Sequence, residues 1–421
     1  MSTSPAKSDP QDDSIPRRDV LLTGASAVGG FLTATEDAAA HAARPAILRA
    51  GRGNSEPAIV DEPKSPSVYE SISVRHVINA AGTFTALGGS LMPKEVVEAW
   101  IDASRHFVDL VDLQNKVGAR IAELIGVEAA LVTTGAAGAM QLAAAAAITR
   151  GEPDRVRRLP DTAGMKNEVI TQKSHHACYD NQITACGAKL VDVETRADLE
   201  RAINDRTAMM LFYNLNEPDG QIHREEWVAV AHKHNVSTLL DAAADVPPVE
   251  ALSKYNRMGF DMVAFSGGKA LRGPNNTGLL LGRKDLIEAA KKNTSPVCGS
   301  IGRSLKVGKE DMIALLAAVE RYVRTDHAAE RREWERRLGV IESTLRDIPT
   351  LKTERIVPPI ANHVPHVLLF WDESVVKITR PEVTKQLAAG NPSIALGRVH
   401  GTGDAGLLVS VFMLKPEEVE I

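Results

Sequence analysis

Lys269 lies in the run FDMVAFSGGKALRGPNNTGLLLGR, just past an apolar stretch that ends at Phe265. That stretch reads as a strand. Ser266, Gly267 and Gly268 then put the amine on a tight turn at the strand's carboxyl end, where parallel sheets bind their ligands. A lysine desolvated there loses basicity and becomes able to form a Schiff base. A surface lysine in a glycine turn is the competing reading. What separates the two is Asp241, which ends an earlier apolar run in STLLDAAAD. The interval from 241 to 269 holds one crossover helix and one strand, so both side chains can project from neighbouring strand ends. A buried carboxylate beside a pyridine nitrogen keeps that nitrogen protonated, and a protonated pyridine is the electron sink of pyridoxal phosphate chemistry. Asp241 alone reads equally well as a helix N-cap. Paired with Lys269, it supplies the second half of one cofactor site.

Two further segments fit the same site. The run ALVTT leads into GAAGAMQLAAAAAI, a strand followed by small residues at a helix start. Free backbone N–H groups and the helix dipole there would hold a phosphate, with Thr134, Gly135, Ala136 and Ala137 as its ligands. An ordinary βα turn has the same look. The strand EVITQ ends in KSHHACYDN, where a histidine ring could stack on the face of a pyridine. Either His175 or His176 could instead be a satisfied histidine at a strand end.

The elements that must position these groups alternate. Val96, Val97, Trp100 and Ile101, behind Pro93, mark one amphipathic helix, and Leu113, Val117, Ile121 and Leu124 the next. Short apolar runs follow at 130–133, 168–171, 189–193, 208–213, 237–240, 262–265 and 278–281. Helical segments at 138–148, 196–204 and 224–234 separate several of them. Only a strand covered on both faces can be apolar at successive positions, so the pattern predicts a three-layer α/β/α domain around a mainly parallel seven-stranded sheet. Beyond Gly299 a long amphipathic stretch from Ile313 to Leu345 reads as a linking helix. The segments HVLLFW and GLLVSVFML then predict a smaller C-terminal α+β domain.

The chain has 421 residues, 44% hydrophobic and 24% charged, with a net charge of −5. That composition suits a large globular core and gives no sign of a nucleic-acid partner. Cys178, Cys186 and Cys298 are too few and too irregular for a disulfide framework or a thiolate zinc site. No run approaches the roughly 20 apolar residues of a membrane span. The N-terminus reads differently. Arg17 and Arg18 precede VLLTGASAVGGFL and then Ala40-His41-Ala42, which resembles a twin-arginine export signal and implies a periplasmic enzyme. A plain N-terminal extension on a cytoplasmic protein is the alternative. The expected boundaries are a signal at 1–42, a linker at 43–66, an N-terminal segment and large domain together at 67–298, and the linking helix with the small domain at 299–421.

Lysine, aspartate, phosphate cup and histidine occur in the order seen in the fold-type I pyridoxal-phosphate enzymes. More narrowly, INAAGTFTALGGSLMP, SGGKALRGPNNTGLLLGR and IGRSLKVGKEDMIALLAAVERY resemble the selenocysteine synthase family, nearest its D-glucosaminate-6-phosphate ammonia lyase branch. The resemblance implies that Lys269 bears the cofactor, Asp241 pairs with its ring nitrogen, His175 stacks on the ring and Ser266 helps hold the phosphate. It makes Arg303 and Arg398 candidates for gripping the substrate carboxylate. It also implies a homodimer or higher assembly, with Pro274 to Thr277 reaching the neighbour's phosphate. Where related enzymes often carry Gln three residues past the aspartate, this chain has Ala244, so a contact to the cofactor's phenolic oxygen falls to Asn216 or is absent. A linker and an export-like segment stand where a selenocysteine synthase would carry a tRNA-binding module, which disfavours the tRNA reaction. The expected reaction is loss of water and then ammonia from a β-hydroxy amino acid or 2-amino sugar acid. Transamination, selenium-transferase-like chemistry and a non-catalytic fold-type I binding protein are the alternatives. A nicotinamide-type oxidoreductase is disfavoured, because no GxGxxG follows the first strand.

Overall fold

A computed structural model of the chain describes residues 67–397 and 406–421. Among them the strands are β1 (Val77–Ala80), β2 (Ala129–Thr133), β3 (Glu168–Gln172), β4 (Lys189–Val193), β5 (Thr207–Tyr213) and β6 (Ser237–Asp241). They continue as β7 (Met262–Ser266), β8 (Gly278–Gly282), β9 (Lys352–Ile356), β10 (His366–Phe370), β11 (Ser393–Leu396) and β12 (Leu407–Ser410). The central sheet runs β2-β8-β7-β6-β5-β3-β4. All its strands are parallel except β8, which is antiparallel to both neighbours. The seven apolar runs of the sequence are these seven strands.

Helices cover both faces, which is why the inner strands are largely apolar, while the edge strand β4 leaves Lys189 and Asp192 exposed. One face buries Phe212, Trp227, Leu240, Val263 and Phe265 beneath the helices at 110–125, 224–233, 251–258 and 309–322. Its centre is an aromatic cluster in which Phe212 meets Trp227 and Phe260 edge-on, at 5.7 and 6.0 Å between ring centroids. The opposite face buries Leu131, Leu211, Leu239 and Leu280 against the Gly135–Thr149 helix. That helix is buried at every position from Leu142 to Thr149. Its run of alanines suits the role, being the strongest helix formers and small enough for the backbone to lie close to the sheet.

Two features depart from the sequence expectation. The stretch past Gly299 is two helices, Lys309–Tyr322 and His327–Leu345, broken where Asp326 caps the second by accepting from Ala329 N at 2.9 Å. β1 pairs in parallel with β11, so the segment expected with the large domain packs with the C-terminal residues, Ile78 and Ala80 joining Leu338 and Val367. The remaining C-terminal strands form an antiparallel sheet, β12-β10-β9. No described helix is long and apolar enough to cross a membrane. The export-signal and linker expectations for residues 1–66 fall outside the described residues.

Candidate active site

The groups singled out in the sequence gather at the carboxyl ends of β2, β6 and β7. Asp241 is the last residue of β6, and its backbone lies in register with Tyr213 on β5 and Ala264 on β7. Its Oδ1 accepts from Ala243 N at 3.0 Å, the turn that aims the carboxylate off the strand end. Lys269 follows β7 by one turn. Burial pushes the Asp241 carboxyl up and pulls the Lys269 amine down, while each opposes the other's shift through its charge. The two groups are therefore electrostatic partners across neighbouring strand ends.

The glycines of the lysine turn are needed for space. Gly267 N donates to Thr277 O at 2.8 Å, and Gly273 N to Gly267 O at 2.9 Å, which folds the turn under the Pro274–Thr277 loop. A Cβ at Gly268 would lie 2.5 Å from Asn275 Cα, and one at Gly267 only 2.2 Å from Thr277 Oγ1. From above, Gly89 closes on the same turn with φ +75°, and a Cβ there would sit 2.6 Å from Gly268 O. That contact gives the INAAGTFTALGGS segment its role.

The phosphate cup is built as a helix start should be. Thr134 is the N-cap of the Gly135–Thr149 helix and Gly135 has φ +67°. The N–H groups of Gly135, Ala136 and Ala137 are first-turn donors with no intrahelical acceptor. Thr134 Oγ1 is buried without a hydrogen-bond partner, the state expected of a hydroxyl that waits for a ligand. Gly278 at the start of β8 packs so tightly on this turn that a Cβ would come within 2.3 Å of Gly135 C. Ser266, half-buried, ends β7 three residues before the lysine, and β8 alone separates that strand from the cup's β2. An unpartnered hydroxyl, free helix N–H groups, a buried carboxylate and a desolvated lysine together match the phosphate, ring nitrogen and aldehyde of pyridoxal phosphate.

Other expected groups sit differently. His175 is fully buried, edge-on to Phe212 at 4.5 Å between centroids, with Nε2 3.2 Å from Gln172 Nε2. Phe212 belongs to the aromatic face of the sheet, so one edge of the ring meets that core, while its Nδ1 is buried without a hydrogen-bond partner. Burial pulls its pKa to about 4, with the Asn216 backbone opposing the shift. His176 is held between Asp180 Oδ2 at 2.5 Å and Asp192 Oδ1 at 2.9 Å. Asn216 is half-buried on the turn after β5. Arg303 is exposed on the irregular segment before the 309–322 helix and has no ion pair among the described residues. Arg398 lies outside the described residues.

Reasoning from sequence passed over three groups. Tyr213 is buried beside Asp241 and donates to Asp180 Oδ1 at 2.9 Å. Tyr179, on the turn that follows His175 and His176, feels the charge of Asp241. Asp245 is buried and bound by Asn214 and Tyr255. Its only sequence signal was a second aspartate four residues after the first.

The fold and this site define a pyridoxal-phosphate-dependent enzyme of fold type I. The aminotransferase class-V family model matches residues 103–299. The chain is 35% identical over 269 residues to the D-glucosaminate-6-phosphate ammonia lyase of Salmonella typhimurium, spanning 61% of this chain and 70% of that protein. It is 31% identical over 343 residues to a 5'-C-glycyluridine monooxygenase-decarboxylase from Streptomyces, spanning 78% of this chain and 83% of that one. A more distant relative, at 29% identity, is the L-seryl-tRNA(Sec) selenium transferase of Nautilia profundicola, over 61% of this chain and 60% of the relative. A solved D-glucosaminate-6-phosphate ammonia-lyase structure superposes with a TM-score of 0.73 at 28% identity, covering 84% of this chain and 95% of that one. The chain carries an aminotransferase class-V domain and belongs to the family of the D-glucosaminate-6-phosphate ammonia lyases.

Proposed function

We propose that the enzyme is an ammonia lyase that removes water and then ammonia from a 2-amino sugar acid or a β-hydroxy amino acid. The observation that carries this reading is the Lys269–Asp241 pair beside the open Thr134 cup, in a chain 35% identical to a lyase of that kind. Bound there, the cofactor withdraws electrons from the substrate's α-carbon and so makes its proton removable. Asp241 Oδ holds a proton at the ring nitrogen. Thr134 Oγ1 and the N–H groups of Gly135, Ala136 and Ala137 bind the phosphate, with Ser266 beside them. Lys269 Nζ, kept weakly basic by burial, takes the α-proton and returns it to the departing β-hydroxyl, which leaves as water. Water then hydrolyses the released enamine to ammonia and an oxo acid. Arg303 and Arg398 would grip the substrate carboxylate, and Asn216 would supply the contact to the phenolic oxygen.

Incubating the purified holoenzyme with 2-amino sugar acids, phosphorylated and free, and with β-hydroxy amino acids tests this. Stoichiometric ammonia and oxo acid supports the reading. Amino transfer to an added oxo acid without ammonia release contradicts it. A second reading, oxidative decarboxylation, draws on the longer match to the Streptomyces relative. It is marked by oxygen uptake and carbon dioxide release, neither of which the lyase produces.

A second copy of the chain covers the exposed apolar surface of the N-terminal segments, where Phe107 is fully exposed and Ile72, Val108 and Val111 are about half so or more. Export by the twin-arginine route to the periplasm, with the cofactor already bound, completes the proposal.

A further inference from the structure

Asp245 lies in the turn after β6, is only 5% exposed, and is bound from two other elements. Asn214 Nδ2, on the turn after β5, donates to Asp245 Oδ2. Tyr255 OH, on the helix at 251–258, donates to the same oxygen at 2.8 Å and accepts from Asn214 Nδ2 at 2.9 Å. Arg224 Nη1 closes the cluster by donating to Asn214 Oδ1 at 2.7 Å. Buried carboxylates cost several kcal/mol unless their partners are supplied, and here two elements supply them while Arg224 holds one of the donors in place. The main chain adds a fourth tie, since Asn362 N donates to Ala244 O at 2.7 Å.

Nothing in the proposed reaction uses this group, yet it does not stand apart from the site. The charged and titratable groups facing it are Tyr255 from its helix, Asp241 from β6 and Lys269 from the turn after β7. Those facing Lys269 are Asp241 and Asp245. The turns that carry these groups are joined, since β6 and β7 are neighbours and Ser266 N donates to Ala243 O at 3.3 Å, which sets both buried carboxylates at the strand end beside the lysine turn. Asp241 is committed to the ring nitrogen in the reading above, which leaves Asp245 as the unneutralised charge near the amine.

We propose that Asp245 is a positioning residue of the site, a second buried carboxylate whose charge, held at the β6 end by Asn214 and Tyr255, acts on the Lys269 nitrogen. The proposal rests on the cofactor reading, because the lysine nitrogen it acts on is the one that carries pyridoxal phosphate. Burial leaves Asp245 with a pKa of about 6, against the pull of its two donors, so the carboxylate is ionised above neutrality. There it favours the protonated lysine nitrogen, and its removal lowers the pH at which that proton is lost. A residue that only braced β5 against β6 would leave that pH unchanged.

The test is a pH titration of the visible absorption band of the full-length holoenzyme, in wild type, Asp245→Asn and Tyr255→Phe. Asp245→Asn is expected to move the deprotonation midpoint down by about one pH unit. Tyr255→Phe keeps the carboxylate and leaves that midpoint in place. In wild type the band also carries a lower inflection near pH 6, which Tyr255→Phe moves upward by taking away a donor to the ionised carboxylate. This second readout stands even if Asp245→Asn does not fold. A wild-type titration with no inflection near pH 6, or equal midpoints in wild type and a folded Asp245→Asn, overturns the proposal. So does a Tyr255→Phe shift of the main midpoint as large as that of Asp245→Asn. No band in wild type overturns the cofactor reading and this inference together, whereas a normal band with unmoved inflections overturns the inference alone.

Discussion

At the scale of single residues the site is a set of groups held away from their preferred ionisation. Asp241→Asn keeps the shape of the side chain and removes the charge that holds the ring nitrogen protonated. Turnover should fall by about 10²–10³-fold while cofactor remains bound, measured as kcat on holoenzyme. Thr134→Val deletes one hydroxyl from the phosphate cup and should weaken pyridoxal phosphate by about 10-fold or more, read by equilibrium dialysis of the apoenzyme. His366 on β10 is a separate case, a buried histidine whose pKa burial lowers to about 4. Its folded pKa lies below its unfolded one, so between pH 6.5 and 4 the unfolded chain binds a proton that the folded chain refuses. Stability from this group is present above pH 6.5 and lost as pH falls through that window. His366→Gln should flatten the decline by roughly 3 kcal/mol, measured by urea denaturation of wild type and variant at both ends. Lys269 and Asp241 were legible in the sequence because each closes an apolar run with a charge. His175 was chosen on resemblance, because a histidine entering a core and one facing a ligand have the same neighbours in sequence. Asp245 was equally silent, since its partners lie on other elements.

At the scale of elements the site depends on turns that only glycine permits. Gly268→Ala drives a Cβ into Asn275 Cα, and the whole lysine turn must shift because the obstacle is backbone. We expect a loss of about 1–3 kcal/mol in stability, by thermal denaturation, and a disproportionate loss of activity, since an ångström of displacement at a reacting group costs about 10²-fold. Strands β2 to β8 were readable from the sequence because burial on both faces leaves continuous apolar runs. The break between the helices at 309–322 and 327–345 was not, because Val323 keeps the apolar spacing running to the break while an aspartate cap three residues later ends it. Nor was β1, a four-residue strand whose partner β11 lies more than three hundred residues away in sequence. A short strand with no local hairpin signal gives periodicity too little to work on.

At the scale of the whole molecule, the surface of the N-terminal segments, from Val68 to Val111, is apolar enough to call for a partner. Phe107→Asp with Val111→Asp should convert the proposed dimer to monomer in sedimentation velocity while leaving the circular dichroism unchanged. A wild type that already sediments as a monomer would contradict the assembly. Cofactor, site and reaction all meet at Lys269. Borohydride reduction of the purified holoenzyme, followed by proteolysis and mass spectrometry, should place a pyridoxyl group on the peptide that carries Lys269 and on no other. An unmodified Lys269 after saturation with pyridoxal phosphate, or the adduct on a different lysine, would contradict the account.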